Sequence, residues 1–105
     1  MNKILAFFAL LFIPTVSIAE TTIFQAIGPV NFDGDANDAY FRGDSKWGAA
    51  GCQNATYVQV KSTVSGRKEI LSIALAAKMS GKRVQFWGVC DANIDYFKAS
   101  YIVVE

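Results

Sequence analysis

Between Ser65 and Gly81 the residues Ile70, Ile73, Ala74 and Ala77 recur at i, i+3, i+4 and i+7, widened by Leu71, Leu75 and Met79. On both sides of this segment apolar and polar residues instead alternate at every second position. A change of period from 2 to 3.6 and back predicts one amphipathic helix set inside a chain of strands. Ser65 is the expected N-cap, Gly81 stands where a left-handed C-terminal cap belongs, and the Lys78 charge suits a helix end.

Ahead of the helix, Ala55 to Val64 puts Val58, Val60 and Val64 on one face and Tyr57, Gln59, Lys61 and Thr63 on the other. After it, Lys82 to Cys90 opposes Val84, Phe86 and Cys90 to Arg83, Gln85, Trp87 and Val89, and Tyr96 to Glu105 reads as a last strand. Thr22 to Phe32 is β-prone with a bend or bulge at Gly28-Pro29. An acidic turn from Asp33 to Asp38, a short strand from Ala39 to Arg42 and a glycine-rich loop around Trp47 complete the pass. The fold class is therefore mainly β with one helix, β-β-β-α-β-β. That order is that of an OB-like small barrel, a Greek-key sheet with its helix between strands three and four. An open α+β sheet with the helix packed on a face is the alternative. Either architecture is expected to bury the face running from Ile70 to Met79.

The N-terminus sets the domain limits. Met1-Asn2-Lys3 is a short basic start, Ile4 to Ile13 are ten unbroken apolar residues, Pro14 ends them, and Ser17-Ile18-Ala19 supplies small residues at a cleavage position. Ten apolar residues fall short of the roughly 20 that span about 30 Å of hydrocarbon. Residues 1–19 are thus expected to be a cleaved secretory signal peptide, and residues 20–105 a single exported domain, secreted or periplasmic, without a membrane span. Lys3 is the one charge in the leader, and the 105-residue chain carries ten Lys plus Arg against nine Asp plus Glu. The domain that remains is electrically neutral, which argues against nucleic acid as a partner.

The two cysteines, Cys52 and Cys90, are an even pair in a small exported domain and are expected to form a disulfide. The chain has no histidine. Histidine-dependent triads, His-ligated zinc and imidazole proton relays are therefore excluded. Carboxylates such as Asp91 and Asp95, four residues apart in an expected loop, could pair for acid-base work, but nothing around them in the sequence raises a pKa. No catalytic residue, cofactor or metal is expected. Asp33, Asp35, Asn37 and Asp44 fall at oxygen-ligand positions of a calcium loop, yet Asp38 stands where that loop needs glycine, so a solvated acidic turn is the reading. Arg42-Gly43-Asp44 is read as a turn. Asn54-Ala55-Thr56 fits an N-glycosylation acceptor, which has meaning only in a eukaryotic secretory route.

Gly51-Cys52-Gln53-Asn54-Ala55-Thr56-Tyr57-Val58, the run Glu69 to Val84 with its Ala77-Lys78-Met79-Ser80-Gly81-Lys82, then Gly88-Val89-Cys90 and Ser100-Tyr101-Ile102, resemble a group of small secreted bacterial proteins of unknown role. The helix-glycine-strand layout and Asp38-Ala39-Tyr40-Phe41 after an acidic turn are more distantly similar to B subunits of subtilase-cytotoxin-like and typhoid-toxin-like assemblies. That resemblance implies an OB-fold, assembly with further copies of the chain, and recognition of a host glycan.

The residues themselves place aromatic groups among polar ones. Tyr57 and Trp87 fall on the polar faces of their strands together with Lys61, Arg83 and Gln85, and Trp47 lies in the glycine-rich loop. Exposed aromatics beside amide and charged groups suit sugar recognition and equally suit a protein interface. Trp47, Tyr57, Arg83, Gln85 and Trp87 are thus the candidate ligand-binding set. The expected role is a non-enzymatic binding module for a glycan, with a small envelope protein acting through protein contacts as the alternative.

Overall fold

The computed structural model describes residues 19–93 and 95–105, so the signal-peptide reading of the N-terminus falls, Ala19 apart, outside the described residues. The elements are β1 (Glu20–Thr21), β2 (Gln25–Ala26), β3 (Val30–Asp33), β4 (Asp38–Phe41), β5 (Tyr57–Val60), α1 (Arg67–Ser80), β6 (Arg83–Cys90) and β7 (Tyr96–Val104). All seven strands join one mixed sheet in the order β1-β6-β7-β5-β4-β3, with β2 also on β6. Every pairing is antiparallel except β5 with β7, which run parallel.

Among the described residues this is a mainly β fold with one helix, and of the two expected architectures the open α+β sheet is the one formed. The ladder does not close into a barrel. The reason lies in the first segment, where one strand from Thr22 to Phe32 was expected: that span holds two short pieces, β2 and most of β3, and a third, β1, precedes it. β1 and β2 pair with β6 at one edge, β3 pairs with β4 at the other, and the bend at Ile27 to Pro29 carries the chain between them without a ladder. Pro29 has no N–H to give a neighbouring strand. The bend is instead fixed locally, Gly28 N–H donating to the Arg42 carbonyl (2.7 Å) and Arg42 N–H to the Pro29 carbonyl (3.0 Å).

α1 ends as its sequence requires. Gly81 takes the left-handed conformation at φ 69°, Lys82 N–H donates to the Ala77 carbonyl (2.9 Å) and Gly81 N–H to the Lys78 carbonyl (3.3 Å), which closes a Schellman motif. Lys78 Nζ donates to the Gly28 carbonyl and ties the helix end to the bend. Its start differs from expectation: Gly66, not Ser65, is the N-cap, and no side chain caps the first turn. The helix also buries a narrower stripe than the apolar pattern suggested. Ile70, Ala74 and Ala77 enter the core and Leu71 packs against it, whereas Ile73, Leu75 and Met79 are exposed. Small alanines let the helix lie close to the sheet, and that closeness leaves the bulkier residues at the sides without a surface to cover them.

The core forms on the sheet face that meets α1. Ala39, Phe41, Val58, Val60, Val84, Phe86, Phe97 and Ala99 supply it, and Phe41 stacks on Phe86 with centroids 5.4 Å apart. Cys52 and Cys90 are bridged, with Cα atoms 5.8 Å apart, which pins the loop between β4 and β5 to the end of β6. Closing a loop of that length stabilises by about 4 kcal/mol in the chain-entropy treatment. Among the described residues no helix is long and apolar enough to cross a membrane.

Candidate functional site

The opposite face of the sheet carries the polar and aromatic half of every alternation. Register fixes what meets there: Tyr57 lies beside Tyr96 and Gln59 beside Lys98 across β5 and β7, Tyr40 beside Gln59 across β4 and β5, and Trp87 beside Tyr101 across β6 and β7.

Tyr40, Tyr57 and Tyr96 form a closed triangle. Their ring centroids are 6.2 Å apart for Tyr40 and Tyr57, and 5.7 Å for each of the other two pairs, the first near-perpendicular as aromatic quadrupoles prefer. The Arg42 guanidinium sits 5.6 Å from the Tyr57 ring centre, a cation-π contact. With Asn31, Phe32 and Asp33 from edge strand β3, the three tyrosines line a cleft of about 270 Å³. Gln59 donates from Nε2 to the Tyr40 hydroxyl oxygen (3.0 Å), which leaves the Tyr40 proton free to be donated elsewhere. Gln59 is only 6% exposed and its Oε1 has no partner in the structure. An unpaired buried acceptor costs about 1–3 kcal/mol, a cost this strand centre carries at Gln59.

A second aromatic group lies further along the face. Trp87 and Tyr101 pack at 5.6 Å, the Trp87 indole N–H donates to Gln85 Oε1 (2.9 Å), and Gln85 Nε2 donates to the Thr22 carbonyl (3.1 Å). Arg83 forms a two-point ion pair with Glu105, which holds the Glu105 carboxyl below its ordinary range.

The five sequence candidates therefore separate. Gln85 and Trp87 are in contact, Arg83 follows on the same strand but is engaged by Glu105, and Tyr57 belongs to the tyrosine cleft. Trp47 leaves the set altogether. It is fully buried, packs edge-on against Phe86 (5.4 Å), and donates from Nε1 to the Phe41 carbonyl (3.1 Å). A glycine-rich loop looked solvent-borne in sequence, but its own hydrogen bonds turn the indole inward: Trp47 N–H to the Ala55 carbonyl and Ile23 N–H to the Trp47 carbonyl. Conversely, Tyr40 and Tyr96 were missed as site residues. Tyr40 stands between inward-facing Ala39 and Phe41, so alternation alone put it outward, whereas Tyr96 needed the parallel pairing of β7 on β5.

The remaining motifs resolve locally. Asp33 Oδ1 accepts from the N–H groups of Asp35 (3.0 Å) and Ala36 (3.3 Å), the bonding of a self-capped turn. Gly43 packs on the Gln25 side chain, whose amide exchanges two hydrogen bonds with the Ser45 backbone, so Arg42-Gly43-Asp44 is held as a turn. Asp91 accepts from Asn93 N–H (2.9 Å) and pairs with Lys98 (3.3 Å). The Asn93 hydrogen bond first, then Lys98 and Lys61, hold its carboxyl below the ordinary value, the direction opposite to that of a general acid.

No protein-family model, no curated protein and no solved structure matches this chain.

Proposed function

We propose that the domain is an exported, non-enzymatic binding module that takes a glycan in its tyrosine cleft, in the manner of a toxin B subunit. The observation that carries this reading is the triangle of Tyr40, Tyr57 and Tyr96 opening beside Asn31 and Asp33. Sugar rings offer apolar C–H faces that stack on aromatic rings and hydroxyls that seek directed partners, and this cleft supplies both. The Tyr40 hydroxyl, oriented by Gln59, is a donor aimed by its neighbour rather than a freely rotating group. The disulfide suits an oxidising compartment, and the leader-like N-terminus supplies the route there.

A protein partner is the second reading, favoured by the exposed Trp87 and Tyr101 pair, residue types common at interfaces. A glycan array probed with the wild-type chain and with Tyr57→Ala tests the first reading. Binding that Tyr57→Ala weakens at least tenfold supports it. No array signal from a folded chain, or signal unchanged by the substitution, refutes it.

A further inference from the structure

The tyrosine cleft combines aromatic rings with negative charge. Among the described residues its lining is Tyr40, Tyr57, Tyr96, Phe32, Asn31 and Asp33, so the one charged group that enters it is a carboxylate. Asn31 and Asp33 alternate onto the face that carries Tyr40, and Asp33 stands opposite Asp38 across β3 and β4. Asp38 is engaged by the Ser62 N–H (2.8 Å), outside the cleft. The cations Arg42, Lys61 and Lys98 line two other clefts of the surface.

The three tyrosine rings are inclined to one another by 84°, 57° and 73°, so they make the walls of a corner. With centroids 5.7 to 6.2 Å apart, a group seated about 3 Å above the centre of the triangle lies about 4.5 Å from every ring, inside the roughly 6 Å over which a ring quadrupole attracts a cation. The Tyr57 ring holds one cation in the structure itself, the Arg42 guanidinium at 5.6 Å, which belongs to the lining of a neighbouring cleft. A primary ammonium is strongly hydrated and needs several oxygen acceptors to replace its water. The oxygens here are partly spent: Asp33 Oδ1 accepts from the Asp35 and Ala36 N–H groups, and the Tyr40 oxygen accepts from Gln59. A quaternary ammonium needs no acceptor, because its charge is spread over methyl groups that rest on ring faces.

We propose that Tyr40, Tyr57 and Tyr96 form an aromatic cage, with Asp33 as its counter-ion, for a quaternary ammonium group of the choline class. The cage needs no sugar and so goes beyond the glycan reading. A free choline-type compound and a choline substituent carried on a glycan share this chemistry, and the second joins the two readings in one ligand.

Choline chloride titrated into the ¹⁵N-labelled chain tests the cage, beside the uncharged isostere in which a quaternary carbon replaces the nitrogen. Amide shifts concentrated at Asn31, Asp33, Tyr40, Tyr57 and Tyr96 are expected, with choline bound at least tenfold more tightly than the isostere. Asp33→Asn keeps the oxygen that caps the turn and removes the charge, so it should weaken choline binding several-fold and leave the isostere unaffected. Tyr40→Phe keeps the ring and should bind choline as the wild type does. No choline binding, isostere binding as tight as choline's, shifts centred on Trp87 and Tyr101, or undiminished choline binding by Asp33→Asn each overturn the proposal. A second arm compares a choline-substituted oligosaccharide with the same oligosaccharide unsubstituted. Choline binding with neither oligosaccharide bound leaves the cage standing, assigns it to a free ligand and overturns the glycan reading. Equal binding of both oligosaccharides by a chain that ignores free choline overturns the cage and leaves the glycan reading standing.

Discussion

Trp47 and Trp87 each donate one hydrogen bond from the indole nitrogen, one to the Phe41 carbonyl and the other to the Gln85 side chain, yet they do opposite work. Trp47 is closed over on all sides and holds a glycine-rich loop against Phe86; Trp87 keeps 43% of its surface open beside Tyr101. The contrast extends to the whole sheet. Phe41, Phe86 and Phe97 on the helix-covered face are fully buried and hydroxyl-free, whereas the other face shows Tyr40, Tyr57, Tyr96 and Tyr101, each with a polar handle. Aromatic content alone says nothing about binding. The face on which a ring lands, and whether its polar atom is spent on the backbone or left toward a cleft, separates structure from recognition.

The comparison breaks most visibly at Trp47. Trp47→Ala should cost about 3–5 kcal/mol, because it removes a buried ring and orphans the Phe41 carbonyl. Urea denaturation measures this, and a loss below about 1 kcal/mol would show that the loop is not anchored by the indole. Cys52→Ser with Cys90→Ser should lose about 4 kcal/mol, read from the same denaturation. On the outward face the expected stability effects shrink. Trp87→Ala, at an exposed position, should shift stability by no more than about 1 kcal/mol, and Tyr57→Ala, which removes two aromatic contacts of a half-buried ring, by about 1–3 kcal/mol, while weakening glycan binding at least tenfold. A large loss of stability in either would place that residue with Trp47.

The smallest effect is electrostatic. The carboxyls of Asp91 and Glu105 are held below their ordinary values, so their contribution is fully present above those values and is lost as pH falls through the lower, folded ones. Thermal melting should therefore be insensitive to these pairs at neutral pH and should decline only below about pH 4. Asp91→Asn should flatten that decline; an unchanged profile would show that the Lys98 pair contributes nothing.

What could be read from the sequence follows the range of the interactions concerned. The helix, its Gly81 cap, the alternation of β5 and β6 and the Cys52–Cys90 pairing rest on spacing within short windows or on a single available partner. The opening of the sheet rests on where β2 and β3 find partners, Ala26 beside Arg83 and Asp33 beside Asp38, which no local pattern contains. The site divides in the same way. Tyr57, Gln85 and Trp87 were legible as outward residues from strand alternation. Trp47 was misplaced because burial of a loop indole depends on Phe86, thirty-nine residues later, and the tyrosine triangle was invisible until the parallel β5–β7 pairing set Tyr57 against Tyr96.

The central claim is that recognition belongs to the outward face and stability to the inner one. Chemical-shift mapping of the ¹⁵N-labelled chain with the strongest array glycan tests it most directly. Perturbations should concentrate at Tyr40, Tyr57, Gln59, Tyr96 and Lys98, with Trp47 and the α1 residues Ile73, Leu75 and Met79 silent. Perturbations centred on α1, with the tyrosines unmoved, would contradict it.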